Sequence, residues 1–422
     1  MDGQELELEA LAPDAVVLNY LRPHNSTLAR RLSDAGTAVI VLDTEGGVFS
    51  DIGRYGQLLS PDSELRARVT AWLGWGPTLS AHAVSRGWFR ENQVVVTGAP
   101  RFDLYLDPWR QAATSLVPAD VQRPMILVNG NFPVANPRFQ TRAQEAETLV
   151  RRYGFALEDV ARWQAVQSDA MCQLAKATNR AARSNPELAF VYRPHPFERL
   201  DTYDRLLEPL PNLTTRKDGG VDGWILEAAA VVQRGCTTAI EAGLAGVPAM
   251  SPRWVPVFEE VGVAEAVSIG CESWEELQEG LATAASGSLK IPDAQRRELD
   301  AIVKDWFYAI DGHSHQRVAQ AILERAGTGD RESRARKLRA SRPTDGLRGS
   351  LKRSVPPALW RLRPGRHDPI WAKSEKSFSV ADVRRIVQAV SSAADRKPSM
   401  VGTSLAHQAG SYRFGRSVTV SR

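Results

Sequence analysis

Cysteine is scarce in this sequence. Its 422 residues contain three. Cys172, Cys236 and Cys271 are too few and too far apart for a disulfide framework or a CxxC zinc site, so a reducing, cytoplasmic setting is expected. No uninterrupted apolar run reaches the roughly 18 residues of a transmembrane helix. The first twelve residues carry Asp2, Glu5, Glu7 and Glu9 where a secretory signal needs basic and then apolar residues. Familiar catalytic signatures are missing as well. No GxGxxG follows the first apolar run, no GxxxxGKS/T occurs, and no HExxH or Asp-x-Asp pair stands at a strand end. Redox Rossmann enzymes, P-loop kinases and metal-dependent transferases are therefore disfavoured.

What remains is the composition of a globular protein, 43% hydrophobic and 24% charged, in a chain long enough for two or three domains. The net charge of +4 conceals an asymmetry: residues 330–422 hold 21 Lys and Arg against 7 Asp and Glu, a balance of +14, and the rest of the chain carries −10. The basic tail opens with Arg331-Glu-Ser-Arg-Ala-Arg-Lys-Leu-Arg339 and later mixes basic and apolar residues over Pro356–Pro364. It suits an anionic membrane surface, at roughly 1 kcal/mol per basic residue, or else is a solvated tail; nucleic acid is not the expected partner. Apolar spacing of three and four over Ser379–Val390 predicts an amphipathic helix folding back on the body.

The body reads as alternating strands and helices. Strands are expected at Ala15–Tyr20, Thr37–Asp43, Arg68–Leu73 and Gln93–Thr97, with helices over His24–Gly36 and near Pro77–Arg86. After a polar connector at Val117–Arg123, strands at Pro124–Asn129 and Glu187–Arg193 flank a helical run over Leu157–Ala182. Further buried runs lie at Leu226–Gln233 and Val247–Met250. The expected class is α/β, with two Rossmann-like parallel-sheet domains facing a cleft, 1–116 and 117–329, then the basic tail 330–422. Ligands in such sheets bind outside the carboxyl ends of the strands.

Three segments at those ends carry chemistry. Arg234-Gly-Cys-Thr-Thr-Ala-Ile-Glu-Ala-Gly243 places Gly235, Cys236, Thr237 and Thr238 at a helix N-terminus after a strand, where free amides, the helix dipole and hydroxyl donors suit a phosphate. Glu241, one turn on, could accept from ribose hydroxyls; an N-capped helix packed closely on its sheet is the plainer reading. In Tyr192-Arg-Pro-His-Pro-Phe197 two prolines hold His195 at a strand end, fit to bond a phosphate or protonate a departing phosphate oxygen, with Arg193 as fixed charge. Asp43-Thr-Glu-Gly-Gly47 puts Glu45 on a flexible loop of the other half, as a general base or a solvated turn acid. Arg101, Asn129 and Asn131 stand at cleft edges as substrate contacts or hinge packing. His313 and His315 lack a third metal ligand, and helix capping accounts for them equally well.

These segments, together with Val96-Thr-Gly-Ala-Pro-Arg-Phe-Asp103, Leu127-Val-Asn-Gly-Asn-Phe132 and Asp311-Gly-His-Ser-His-Gln-Arg-Val-Ala319, resemble the bacterial surface carbohydrate biosynthesis protein family over roughly residues 15 to 325. That family is similar to GT-B glycosyltransferases, including sialyltransferases and the Kdo transferases of capsule and lipopolysaccharide that use CMP-sugars. The resemblance implies a metal-independent transferase without a cofactor, acting on a nucleotide sugar and a glycan or lipid-linked glycan acceptor. His195, Thr237 and Thr238 would hold the phosphate, Glu241 the ribose, and Glu45, an acidic side chain, would be the catalytic residue. This chain has Thr44 where related enzymes often carry a second acid, and Cys236 in place of a small hydroxyl residue. A sugar-nucleotide 2-epimerase, a CDP-polyol transferase and a non-catalytic, membrane-recruited scaffold are the alternatives.

Overall fold

The computed structural model describes residues 8, 11–44, 52–327, 329–341 and 380–394. The expected α/β class is present, built on two wholly parallel sheets. The first has four strands in sequential order, β1 (Ala15–Leu18), β2 (Ala38–Leu42), β3 (Ala71–Gly74) and β4 (Val94–Val96). The second has six: β5 (Met125–Asn129), β6 (Ala189–Arg193), β7 (Leu213–Thr215), β8 (Ala230–Gln233), β9 (Ala249–Pro252) and β10 (Ile269–Cys271), ordered β10-β9-β8-β5-β6-β7.

Parallel sheets need both faces covered, and the alternation of side chains along these strands shows how this is done. Met125, Leu127, Val191 and Val231 face one core layer with Trp224, Ala239 and Ile240. Ile126, Val128, Phe190, Tyr192 and Val232 face the other, against Met171 and Leu174 of the long helix Leu157–Ser184. The helix Ser26–Ala35 ends where Gly36 takes φ +89° and donates its N–H to the carbonyls of Leu32 and Ser33.

Several elements differ from the sequence reading. The run Leu226–Gln233 is not one buried segment: the helix Val221–Leu226 ends there, and β8 begins only at Ala230. Apolar continuity across that turn hid the break. The three-residue strands β7 and β10 are too short to show a period. The helices Ser314–Arg325 and Arg331–Ala340 return to the first sheet: Val318 and Ala321 pack on Ile40, Ala71 and Leu73, and Leu338 joins the cluster of Leu32, Val39 and Trp72. Full burial of a Val or Leu is worth about 2 kcal/mol, enough to hold these helices there.

The start of the basic tail thus belongs to the body. Arg334 is 4% exposed and bonds Asp14 and the carbonyls of Ala12 and Gly329. Arg331, Arg336, Lys337 and Arg339 of the same helix are exposed, so Arg334 is the basic residue of this segment that departs from the expected basic surface. The helix Val380–Ala393 forms as expected and lies beside the helix Trp109–Thr114. Pro356–Pro364 lies outside the described residues. Among the described residues no helix is long and apolar enough to cross a membrane.

The end of β3 meets the helical segment Val303–Phe307. Trp75, just past β3, packs edge-on to Phe102 and close to Phe307. A Cβ at Gly76 would stand 2.1 Å from the Trp306 carbonyl, so only glycine allows this approach.

Candidate functional site

From β5 the chain moves to β6 and β7 on one side, then crosses to β8 on the other. The topological switch point of the second sheet therefore lies between β5 and β8, where open parallel sheets bind ligands. In register, Asn129 pairs with Arg193 on one flank and with Gln233 on the other. The loops after β6, β5 and β8, which carry three of the predicted site segments, consequently leave the sheet side by side.

At the β8 end Gly235 turns the chain with φ +64°. Its amide and the next are not open as expected. The Cys236 N–H donates to Gln233 Oε1 at 2.7 Å, and the Gly235 N–H to Glu265 Oε1 at 3.3 Å. Glu265 is itself buried, 2.7 Å from the Arg234 guanidinium, and accepts from the Ser251 hydroxyl at 3.0 Å. The amides of Thr237 and Thr238 start the eight-residue helix Thr238–Ala245. Thr238 Oγ1 and Asn129 Nδ2, in side chains 9% and 5% exposed, have no hydrogen-bond partner among the described residues. Each such orphan costs about 1–3 kcal/mol. Burial pushes the Cys236 thiol up, so it stays protonated at neutral pH and is no nucleophile.

His195 follows β6. Its Nδ1 accepts from the Phe197 N–H at 3.2 Å, which leaves the ring proton on Nε2. Burial, aided by Lys217, pushes its pKa down to about 4, so the ring is neutral at physiological pH. It can donate a hydrogen bond, but it does not arrive protonated. The sequence reading missed the residue behind it. Glu198, 0% exposed, accepts on Oε1 from the His195 N–H at 2.9 Å and the Phe132 N–H at 3.0 Å, and on Oε2 from the Tyr203 hydroxyl. Its signal in the sequence was an acid directly after a Pro-His-Pro-Phe turn, where backbone donors need an acceptor.

Two predicted roles are corrected. The Arg193 guanidinium turns away from the strand end, donating to the carbonyls of Asp218 at 2.7 Å and Gly219 at 3.0 Å and lying 5.3 Å over the Trp224 ring. Burial lowers its pKa to about 10, and it is charged but committed to that turn. Glu241 is 3% exposed, accepting from Arg101 at 2.5 Å and from the Tyr105 hydroxyl. Its carboxylate fastens the helix to the 101–105 segment instead of standing open to a ribose. Arg101 is accordingly an inter-half contact. Asn131 is half-buried at the mouth of the β5 loop, its carbonyl accepting from Gln167 Nε2 at 3.3 Å. Glu45 lies outside the described residues.

His315 bonds Asp103 through Nδ1 at 2.8 Å, and Asp103 also accepts the amides of Ser314 and His315. This is helix capping. Among the described residues no group of three or more His, Cys, Asp or Glu side chains is placed to hold a metal ion.

No protein-family profile matches the sequence, and no curated protein matches it. Solved structures similar to it include the S. aureus MnaA–UDP structure, at 15% identity and a TM-score of 0.44 over 76% of each chain. A UDP-GlcNAc 2-epimerase from Neisseria meningitidis bound to UDP-GlcNAc matches at 12% identity and a TM-score of 0.43, over 76% of this chain and 79% of that one. The wall teichoic acid polymerase TagF matches at 11% identity and a TM-score of 0.42, over 68% of each chain.

Proposed function

We propose that the chain is a glycosyltransferase that takes a sugar from a nucleotide donor, in the CMP-linked nonulosonic acid class to which Kdo belongs, and delivers it to a cell-surface polysaccharide or glycolipid acceptor. The observation that carries this reading is the pair of buried donors, Asn129 Nδ2 and Thr238 Oγ1, without partners among the described residues and at the switch point of the second sheet. With the Thr237 and Thr238 amides and the His195 Nε2–H they suit the oxygens of one phosphoryl group. Nearby guanidinium groups are engaged elsewhere: Arg193 by two carbonyls, Arg101 by Glu241 and Arg234 by Glu265. Modest positive charge supports a singly charged phosphodiester over a diphosphate.

In this mechanism the acceptor oxygen attacks the anomeric carbon, the bond from that carbon to the phosphate oxygen breaks, and Glu45 receives the acceptor proton. The nucleoside monophosphate departs as an anion. It needs hydrogen bonds rather than a proton, and a neutral imidazole donating from Nε2 supplies one where charge develops. The basic residues beyond 341 remain a proposed contact for an anionic inner membrane face.

The test is thermal stabilisation of the full chain by CMP, CDP, UDP, GDP and ADP, since a ligand that binds only the native state raises its apparent stability. Selective stabilisation by CMP, lost in Thr238→Val and in His195→Ala, is expected. A response to UDP alone would turn the reading to a sugar-nucleotide epimerase, and to CDP alone to a CDP-polyol transferase. No response at all would leave a non-catalytic scaffold. Glu45→Gln is expected to abolish transfer while leaving CMP stabilisation intact.

A further inference from the structure

We infer that Glu198 is a positioning residue, which sets the His195 imidazole against the Asn129–Phe132 loop; the assignment rests on the phosphate site proposed above. One carboxylate oxygen accepts an amide from each of two loops, His195 N–H at 2.9 Å and Phe132 N–H at 3.0 Å. Both nitrogens bonded to one atom can stand no more than about 6 Å apart. The Tyr203 hydroxyl, from the helix Tyr203–Leu206, holds the second oxygen, so the carboxylate cannot swing away from the two amides. Lys217 Nζ donates to the Glu198 carbonyl at 2.8 Å and fixes the backbone of the same residue.

A wholly buried carboxylate is an expensive acceptor for two amides, since desolvation opposes its charge. Turns of this size are ordinarily closed by backbone carbonyls or by Asn, Asp and Ser side chains at the surface. The loops also have an independent tie. Pro137 and Glu198 form an antiparallel bridge, and the Arg138 N–H donates to the Phe197 carbonyl at 2.9 Å. With that tie keeping the loops together, the work left to the carboxylate is the placement of the His195 backbone. From there the Phe197 N–H to Nδ1 bond fixes the tautomer and sends the Nε2 proton outward.

The experiment is 15N NMR of histidine-labelled protein, with His195 picked out of seven histidines by His195→Gln, and CMP binding by calorimetry. Wild-type His195 is expected as the neutral Nε2–H tautomer. In Glu198→Ala it is expected to populate both tautomers, with CMP affinity lowered tenfold or more; Glu198→Gln, whose Oε1 still accepts both amides, is expected to restore both readings. A folded Glu198→Ala protein with wild-type His195 signals overturns the proposal. Should that variant not fold, Tyr203→Phe decides by the same spectra: mixed tautomers support the role and unchanged signals refute it. Changed His195 signals in Glu198→Ala, with no CMP binding to wild type, refute the phosphate reading and leave the positioning role standing. Equal CMP binding to wild type and Glu198→Ala with unchanged signals does the reverse.

Discussion

Arg101 and Glu241, 140 residues apart in sequence, form an ion pair of 2.5 Å that joins the segment leaving the first sheet to the helix Thr238–Ala245. The pair is asymmetric, with the arginine side chain 43% exposed and the glutamate 3%. Removing the arginine strands a buried carboxylate whose remaining partner is the Tyr105 hydroxyl. Arg101→Ala should therefore cost about 3 kcal/mol, and Glu241→Gln in the same chain should recover part of it by removing the stranded charge. Urea denaturation of the two variants checks this. A loss below about 0.5 kcal/mol in Arg101→Ala would reduce the pair to a surface contact.

Thr238 and Asn129 lead to the opposite expectation. Their buried donors have no partners among the described residues, so replacing the hydroxyl by a methyl of similar shape removes an unmet demand. Thr238→Val should be about 1 kcal/mol more stable than wild type while binding CMP at least tenfold more weakly. Differential scanning calorimetry with and without CMP reads both quantities. A variant both less stable and unimpaired in binding would show that the hydroxyl serves packing.

Arg193 was expected at the phosphate and instead holds the 218–219 turn. Arg193→Met, which keeps an apolar stem against Trp224 and loses both bonds to carbonyls, should cost about 2–3 kcal/mol. CMP affinity in the folded variant should stay within threefold of wild type. A tenfold or greater loss of affinity at unchanged stability would return the guanidinium to the ligand.

Much of the site was legible because proline and glycine punctuate it. The prolines around His195 and the glycine at 235 marked two strand ends, and the apolar run before the first was long enough to identify as β6. What stayed hidden depends on pairing across the sheet. Nothing local to Arg193 says that its side chain reaches the carbonyls of Asp218 and Gly219, 25 and 26 residues on. Nor does the sequence around Gln233 and Glu265 show that their side chains take the amides of Cys236 and Gly235. Glu198 escaped notice for the same reason, since one of its two amide donors lies 66 residues away. The return of Ser314–Arg325 to the first sheet is invisible to period or propensity, because an amphipathic helix does not announce which sheet it covers.

His195 makes stability depend on pH in a direction that can be fixed in advance. Its pKa falls from 6.5 to about 4 in the folded protein. Above pH 6.5 the ring is neutral folded or unfolded, and the full contribution is present. As pH falls from 6.5 toward 4 the unfolded chain takes up a proton that the native protein refuses, so stability is lost across that window and changes no further below it. For a partly exposed ring the loss should be about 2 kcal/mol. Glu198 works in the opposite sense, because burial raises its carboxyl pKa and the native state keeps a proton that the unfolded chain has lost. The two are separated by comparison with His195→Gln, which lacks only the imidazole. Urea midpoints of wild type and variant between pH 7.5 and 4 should diverge, with wild type losing more stability on acidification. Parallel curves would show that His195 titrates in the folded protein as it does in an unfolded chain, and would remove the neutral imidazole from the mechanism.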